Sequence, residues 1–140
     1  MEYEALKLKN QLCFPLYAAA KEVVSKYKPY LDEVDLTYTQ YIAMMVLWEQ
    51  NRIGVSELGE HLHLDSGTLT PMLKRLEDKG FVRRERDKTD ERAVNIILTD
   101  KGTALADRAS VIPMQVGSCL PLSAEEATTL YALLYKLLED

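Results

Sequence analysis

The chain has 140 residues, 47% of them hydrophobic, and a net charge of −5 at pH 7. This length fits one ordinary domain with a real core, and the acidic balance excludes a globally basic nucleic-acid binder. The sequence has no run of about 18 apolar residues and no signal-peptide pattern at its start, so we expect a cytoplasmic protein that does not enter the membrane. The two cysteines lie far apart without a CxxC motif, and we expect thiols at rest.

The first half of the chain predicts helices in succession. Apolar side chains recur every three or four positions over residues 4–27, which indicates a long first helix. Pro29 is expected to open a connector. Thr37 has the side chain of an N-cap and predicts a second helix that runs to about Gln50. Ser56 is expected to cap a short third helix.

The next segment predicts a fourth helix and a hairpin. Asp65 or Ser66 is the expected cap of the fourth helix, and Gly80 is the expected stop. The stretches FVRRER and VNIILT have strand composition and are joined by DKTDERA, which predicts a β-hairpin. The order of short helix, turn, helix and hairpin is that of a winged helix-turn-helix.

Two further helices are expected after the hairpin. Thr99 or Asp100 is expected to cap the first, which is interrupted or bent near Pro113, and Ser123 begins the last. The predicted fold is therefore mostly α (α+β), a winged helix-turn-helix with long N- and C-terminal dimerisation helices. We expect a single domain over residues 1–140, in which 36–99 read DNA and 1–35 and 100–140 form a homodimer.

The fourth helix has the layout of a recognition helix. One stripe is apolar, and short polar or cationic side chains lie near the N-terminal end, where a recognition helix enters the major groove. The ring of Pro71 is placed to touch a thymine methyl group. The predicted DNA-contacting residues of this helix are Ser66, Thr68, Thr70, Pro71, Lys74 and Arg75.

Charge is concentrated in the same region. Residues 74–92 hold eight basic and six acidic side chains, and Arg86 is one of the basic ones, so the remainder of the chain carries a net charge of −7. A local basic surface on an acidic protein is typical of phosphate binding, and we expect double-stranded DNA with a pseudo-palindromic operator as the partner.

The hairpin carries a specific motif. The segment DERAVNIILT, residues 90–99, fits the pattern D-x-R-x(5)-L-T and resembles the wing of the MarR family of regulators, as does the order of elements along the whole chain. The resemblance implies that Asp90 orients Arg92 and that the wing tip inserts Arg92 into the minor groove, where a narrow groove attracts a guanidinium.

Cys13 shares a helical stripe with tyrosines. Tyr27 lies 14 residues later, which is about 40° away around a helix axis but about 21 Å along it. A straight helix cannot bring the two together, whereas two antiparallel copies that cross near Ala20 would place each Cys13 against the partner's tyrosine. Phenol hydroxyls that donate to the sulfur favour the reactive thiolate, and Tyr38 is a candidate second donor.

This constellation, with the segments NQLCFPLYAA, LTYTQY and LDSGTLTPMLKRLE, resembles the organic-hydroperoxide-sensing OhrR branch of the MarR family. The resemblance implies a repressor in which an organic hydroperoxide oxidises Cys13 to a sulfenic acid, with Tyr27 and Tyr38 as its hydrogen-bonding tyrosines. A second thiol then caps the oxidised sulfur and the dimer releases DNA. That thiol is either Cys119 or a small free thiol.

Alternatives of other kinds stay open at this point. A MarR-type repressor released by a small aromatic ligand would leave Cys13 inert, and a thiol peroxidase would consume peroxide catalytically. The recognition helix and basic wing argue against the enzyme. We expect no cofactor and no metal site, since His61 and His63 point to different faces of a short helix without ligands spaced for zinc.

Overall fold

A helix-turn-helix followed by a β-hairpin occupies the middle of the chain in the computed structural model, which describes residues 2–139. Two short 3₁₀ turns, Glu4–Leu6 and Leu8–Asn10, come first. The helices are α1 (Cys13–Asp32), α2 (Tyr38–Gln50), α3 (Val55–Leu62), α4 (Ser66–Asp78), α5 (Asp100–Ala109), α6 (Ile112–Gly117) and α7 (Ala124–Leu138). The strands are β1 (Arg52–Gly54), β2 (Val82–Arg86) and β3 (Val94–Leu98). Within residues 2–139, no helix is both long and apolar enough to span a membrane.

The first helix differs from its prediction at both ends. It begins at Cys13 rather than near Glu4, and Pro15 lies in its first turn, where a missing N–H costs no helical bond. It also continues through Pro29 to Asp32, so the prediction of a connector at Pro29 was wrong. Leu31 is 2% exposed in the core, and its burial stabilises the last turn despite the proline.

The predicted caps are confirmed where their side chains act locally. Thr37 and Gln40 form a reciprocal capping box at the start of α2, Thr99 caps α5, and Ser123 caps α7. Gly80 follows α4 with a φ of 84°, a left-handed conformation that suits glycine.

Two predictions in the same part of the chain were less accurate. The third helix begins at Val55 with Gly54 as its cap, so Ser56 is not the N-cap. The sheet has three strands in the order β1-β3-β2, all antiparallel, and β1 was not predicted. Ile53 of β1 pairs with Ile96 of β3, and both side chains are buried, which explains why three residues suffice for this strand.

The core joins the winged helix to the end of α1 and to α5 and α6. Trp48 fixes α2 to α5 by donating its indole N–H to the Gly102 carbonyl at 2.9 Å. The chain turns at residues 110–111 between α5 and α6, with Pro113 in the first turn of α6, which confirms the predicted interruption. By contrast, α7 contributes no buried residue.

Candidate nucleic-acid interface and thiol site

The predicted recognition helix is α4, and its two faces separate as expected. Leu69, Met72, Leu73 and Leu76 are buried, which anchors the helix on the core. The opposite face is open to solvent and holds all the predicted DNA-contacting residues of this helix: Ser66, Thr68, Thr70, Pro71, Lys74 and Arg75. The helix therefore offers short polar side chains at its start and two cations one turn later.

The start of α4 is fixed by a side-chain contact. Thr68 donates its hydroxyl to the Asp65 carboxylate at 2.5 Å, and this bond holds the pKa of Asp65 below its usual value. The Asp65 backbone is extended, as at an N-cap. Thr68 is therefore engaged in defining the helix terminus as well as facing solvent.

The tip of the hairpin is shaped by two aspartates. Asp87 accepts hydrogen bonds from the backbone N–H and the hydroxyl of Thr89 at 2.9 and 2.8 Å, which lowers the pKa of Asp87. Asp90 accepts the backbone N–H of Arg92 at 3.0 Å. The predicted orientation of Arg92 by Asp90 thus acts on the Arg92 main chain, and the guanidinium is held by no bond to this carboxylate.

Basic residues of α4 and the wing fall into two groups. Arg84 is paired with Glu77 of α4 at 3.2 Å, and Arg86 donates to the Glu91 carbonyl at 2.9 Å within the hairpin. Among residues 2–139, Lys74, Arg75, Lys88 and Arg92 make no ion pair with an acidic side chain. This second group is the cationic surface available to an anionic partner.

A groove of about 300 Å³ lies between α4 and the hairpin. Its lining brings Thr70 of the recognition helix together with Arg92 and Arg84 of the wing. The predicted helix and wing contacts are therefore parts of one continuous surface.

Three tyrosines pack together where α1 meets α2. The ring centroid of Tyr27 lies 4.9 Å from that of Tyr38 and 5.8 Å from that of Tyr41, and the Tyr38 and Tyr41 centroids are 6.2 Å apart. Burial raises the pKa of all three phenols, that of Tyr41 to about 12, so they keep their protons to a higher pH than exposed tyrosines do. Tyr41 was missed by sequence reasoning, although its position three residues after Tyr38 places it on the same face of α2.

Cys13 lies at the opposite end of α1 from this tyrosine cluster. It is the first residue of the helix and is exposed to solvent. The 14-residue separation corresponds to about 21 Å of helix, so one chain does not bring Cys13 to Tyr27.

Cys119 also has a tyrosine neighbour. Its sulfur lies 3.6 Å from the hydroxyl of Tyr30, and its thiol donates to the Gln115 carbonyl at 3.3 Å. The hydrogen bond to Cys119 raises the pKa of Tyr30. Tyr30 follows Tyr27 by about one helical turn, so Cys119 contacts α1 near the end of the helix that carries the tyrosine cluster, and Cys13 begins the other end.

Comparisons with known proteins identify relatives of this chain. A family model described as "Transcriptional regulator SarA/Rot" matches residues 25–109. The "Organic hydroperoxide resistance transcriptional regulator" of Bacillus subtilis is 46% identical over 138 residues, which cover 99% of this chain and 94% of the relative.

Solved structures extend the comparison to DNA complexes. Reduced AbfR bound to DNA, a protein of Staphylococcus epidermidis, matches with a TM-score of 0.82 and 38% identity over 98% of this chain and 94% of that one. A cysteine-to-serine mutant of MarR from E. coli, complexed with operator DNA, matches with a TM-score of 0.82 and 30% identity over 91% of this chain and 94% of that one.

The winged helix-turn-helix, the wing motif and these relatives lead to one assignment. The relatives are named as regulators, and the family is one of DNA-binding proteins rather than enzymes, which removes the thiol peroxidase alternative. The chain belongs to the MarR family of transcriptional regulators, in the branch that contains the organic hydroperoxide resistance regulators.

Proposed function

We propose that this protein is a homodimeric repressor that binds a pseudo-palindromic operator and releases it when an organic hydroperoxide oxidises Cys13. The Cys13 thiolate attacks the distal oxygen of the hydroperoxide, the O–O bond breaks, and the alcohol leaves after taking up a proton. The sulfur becomes a sulfenic acid. A second thiol then forms a disulfide with it and water is lost.

The arrangement of the sensing site carries this proposal. Tyr27 and Tyr38 pack together as a pair of phenol donors. Cys13, which shares a helical stripe with Tyr27, lies about 21 Å away along α1 in the same chain. A second copy that crosses α1 antiparallel supplies the missing thiol. Each sensing site then consists of Cys13 from one protomer and the tyrosine pair from its partner.

Unburied apolar surface at both ends of the chain supports the homodimer. Leu12 is 83% exposed beside Cys13, and Leu133 is 55% exposed on α7. Monomeric proteins rarely leave large contiguous apolar patches in water, and a two-fold partner would cover them. The exposed set at the two ends includes Leu6, Leu8, Leu12, Phe14, Leu16, Tyr17, Leu130, Tyr131, Leu133, Tyr135, Leu137 and Leu138.

DNA binding is assigned to α4 and the wing. Two-fold symmetry would present the two α4 helices to successive major grooves, about one DNA turn apart. Lys74 and Arg75 then contact phosphates or base edges, while Arg92 at the wing tip enters the minor groove. Arg86 acts through the backbone of the wing, because its guanidinium is bonded to the Glu91 carbonyl.

Cys119 is proposed as the resolving thiol. Because Tyr30 holds Cys119 one helical turn from Tyr27, a partner's Cys13 seated against Tyr27 would have this thiol close by. The resulting disulfide would join the two protomers. If Cys119 is the resolving thiol, Cys119→Ser will need an added small thiol for release by peroxide and wild type will not. If a small free thiol serves instead, the two proteins will need it equally.

The experiment that tests the proposal is operator binding before and after stoichiometric cumene hydroperoxide. We expect the wild-type protein to release a DNA fragment from its own upstream region on oxidation. Cys13→Ser should bind the same fragment with unchanged affinity and stay bound after peroxide.

Two outcomes would reject the assignment. Release of DNA by peroxide-treated Cys13→Ser would remove Cys13 from the mechanism. Failure of the wild-type protein to respond, together with release by a small aromatic acid, would favour ligand-controlled repression in which Cys13 is inert.

A further inference from the structure

Lys79 is the C-cap of the predicted recognition helix and directly follows its last residue, Asp78. Its ammonium donates to the Asp35 carbonyl at 2.6 Å and to the Gln40 side-chain oxygen at 2.9 Å. The Asp35 carboxylate lies 3.5 Å away. Lys79 therefore connects the C-terminal end of α4 to the segment that joins α1 and α2. Charge-assisted bonds of this kind are about twice as strong as neutral ones.

The contact falls on the capping box that begins α2. The Gln40 oxygen bonded to Lys79 also accepts the backbone N–H of Thr37 at 3.0 Å, and Thr37 caps the helix in return. Gln40 is only 2% exposed, so its oxygen has a fixed position. Tyr38 is the first residue after the cap. One side chain thus separates the end of the recognition helix from the start of the helix that carries a sensing tyrosine.

The two ends of this contact are themselves restrained. Asp35 has a φ of 55°, a left-handed conformation that is uncommon for a non-glycine residue. In this conformation its carbonyl accepts the hydrogen bond from the Lys79 ammonium. On the other side, Lys101 of α5 donates to the Lys79 carbonyl at 2.7 Å. A shift of residues 35–40 is therefore passed to α4 through an ammonium that has little room to adjust.

We propose that Lys79 is a positioning residue that couples the tyrosine pair to the recognition helix. The proposal rests on the proposed sensing function and adds the route by which the signal reaches DNA. When oxidation of the partner's thiol displaces Tyr27 and Tyr38, the capping box moves. The Lys79 ammonium follows Gln40 and Asp35, and the C-terminal end of α4 is drawn with it.

Lys79→Met tests this route, because methionine keeps the apolar stem and removes the ammonium. The quantity to measure is the ratio of the operator Kd of oxidised protein to that of reduced protein, with Cys13 oxidation followed by mass spectrometry in the same samples. Cys13 of the variant should oxidise at the wild-type rate. The ratio should fall about threefold to thirtyfold, since changes along a coupling contact alter coupling by that order.

Lys28→Met is the matched control. It also loses a lysine ammonium bonded beside the segment that joins α1 and α2, but this ammonium bonds the Asp32 carboxylate of its own helix rather than α4. We expect its Kd ratio to remain at the wild-type value. Thermal unfolding of all variants checks the fold. If Lys79→Met does not fold, Lys79→Gln replaces it, because the glutamine side chain stays polar but is too short to bond both acceptors.

The outcomes separate this inference from the function on which it depends. A Kd ratio of Lys79→Met that stays at the wild-type value would overturn the coupling. If both Kd values rise by the same factor, Lys79 only stabilises the DNA-bound form. If wild-type protein is not released by peroxide at all, the sensing function fails first and the coupling fails with it.

Discussion

The helices α4 and α7 have similar lengths and both carry an apolar face, yet they differ in what they pack against. Four apolar side chains of α4 are buried within the chain, whereas α7 has none. The core around α4 also takes in the end of α1 and the helices α5 and α6, so the predicted DNA-reading region has a complete core within one chain. The terminal helices instead present leucines and tyrosines to solvent.

This contrast indicates which part of the molecule could regulate DNA binding. A DNA-reading region with a complete core keeps its conformation. In a dimer, its affinity for DNA therefore depends on its position relative to the second copy. The N- and C-terminal parts of the chain, which would position this region in the proposed dimer, carry Cys13, Cys119 and the tyrosines. Chemistry at the proposed interface can therefore alter the spacing of two intact DNA-reading regions without unfolding them.

The largest expected effect is on the free energy of unfolding and comes from a cavity in the core beneath α4. Leu76 is fully buried on α4, and Leu76→Ala should lower the free energy of unfolding by about 3 kcal/mol through lost burial and a cavity. Chemical denaturation at a protein concentration well above that needed for assembly would measure it. A loss below about 1 kcal/mol would show that α4 is not anchored by this core.

A charge on α7 should act on assembly instead. Leu133→Asp combined with Leu137→Asp would bury charge in the proposed interface and weaken the dimer by at least ~2 kcal/mol. Sedimentation equilibrium reports the change. Lys136→Asp, which makes the same change of two charge units on the polar side of the same helix, is the matched control and should leave the dimer intact. Equal behaviour of the two proteins would contradict the assigned interface.

Removal of the wing cation should weaken DNA binding without affecting the core or the proposed dimer interface. Arg92→Ala is expected to cost at least ~1 kcal/mol of operator affinity, because we propose that its guanidinium enters the minor groove. Arg84→Ala serves as the comparison, since Arg84 is already paired with Glu77. Fluorescence anisotropy at moderate salt would measure both, and an unchanged Arg92→Ala affinity would exclude the wing contact.

The smallest predicted effect concerns alkaline pH and the tyrosine cluster. Burial raises the pKa of Tyr41 from 10.0 to about 12, so between these values the folded protein keeps a proton that the unfolded chain has lost. Stability is therefore complete below pH 10 and falls as the pH rises towards 12, by an amount on the order of 1 kcal/mol. Tyr41→Phe should flatten this decline in denaturation curves, whereas Tyr3→Phe, at an exposed position, should not.

Local chemistry made much of the fold predictable. The caps at Thr37, Thr99 and Ser123 and the stop at Gly80 each depend on side chains or backbone within a few residues, and all are found. The hairpin strands follow from composition and from the wing motif. Pro29 misled the prediction because burial of Leu31, a tertiary effect, outweighs the helix-breaking tendency of proline.

Contacts between segments that are far apart in the chain could not be predicted from the sequence. Strand β1 exists only because Ile53 pairs with Ile96, far along the chain. The bond from Lys79 to Gln40 and the contact of Tyr30 with Cys119 likewise join separate parts of the chain. Helical periodicity could place Cys13 and Tyr27 on one stripe, but the grouping of Tyr27 with Tyr38 and Tyr41 required the packing of α1 on α2.

The central claim is that each sensing site takes its thiol from one protomer and its tyrosines from the other. Mixed dimers of Cys13→Ser with a Tyr27→Phe/Tyr38→Phe protein test it. In a heterodimer the intact Cys13 belongs to the chain without the tyrosine pair, and the intact pair belongs to the chain without the thiol. A shared site would be restored once per heterodimer, whereas a site within one chain would not.

The measurement is the rate at which cumene hydroperoxide oxidises Cys13 in purified, doubly tagged heterodimers, with the two parent homodimers alongside. We expect half of the wild-type sites to react at the wild-type rate, while the tyrosine-deficient homodimer reacts slowly and Cys13→Ser does not react. A heterodimer that oxidises only at the slow rate of its tyrosine-deficient parent would contradict the shared site.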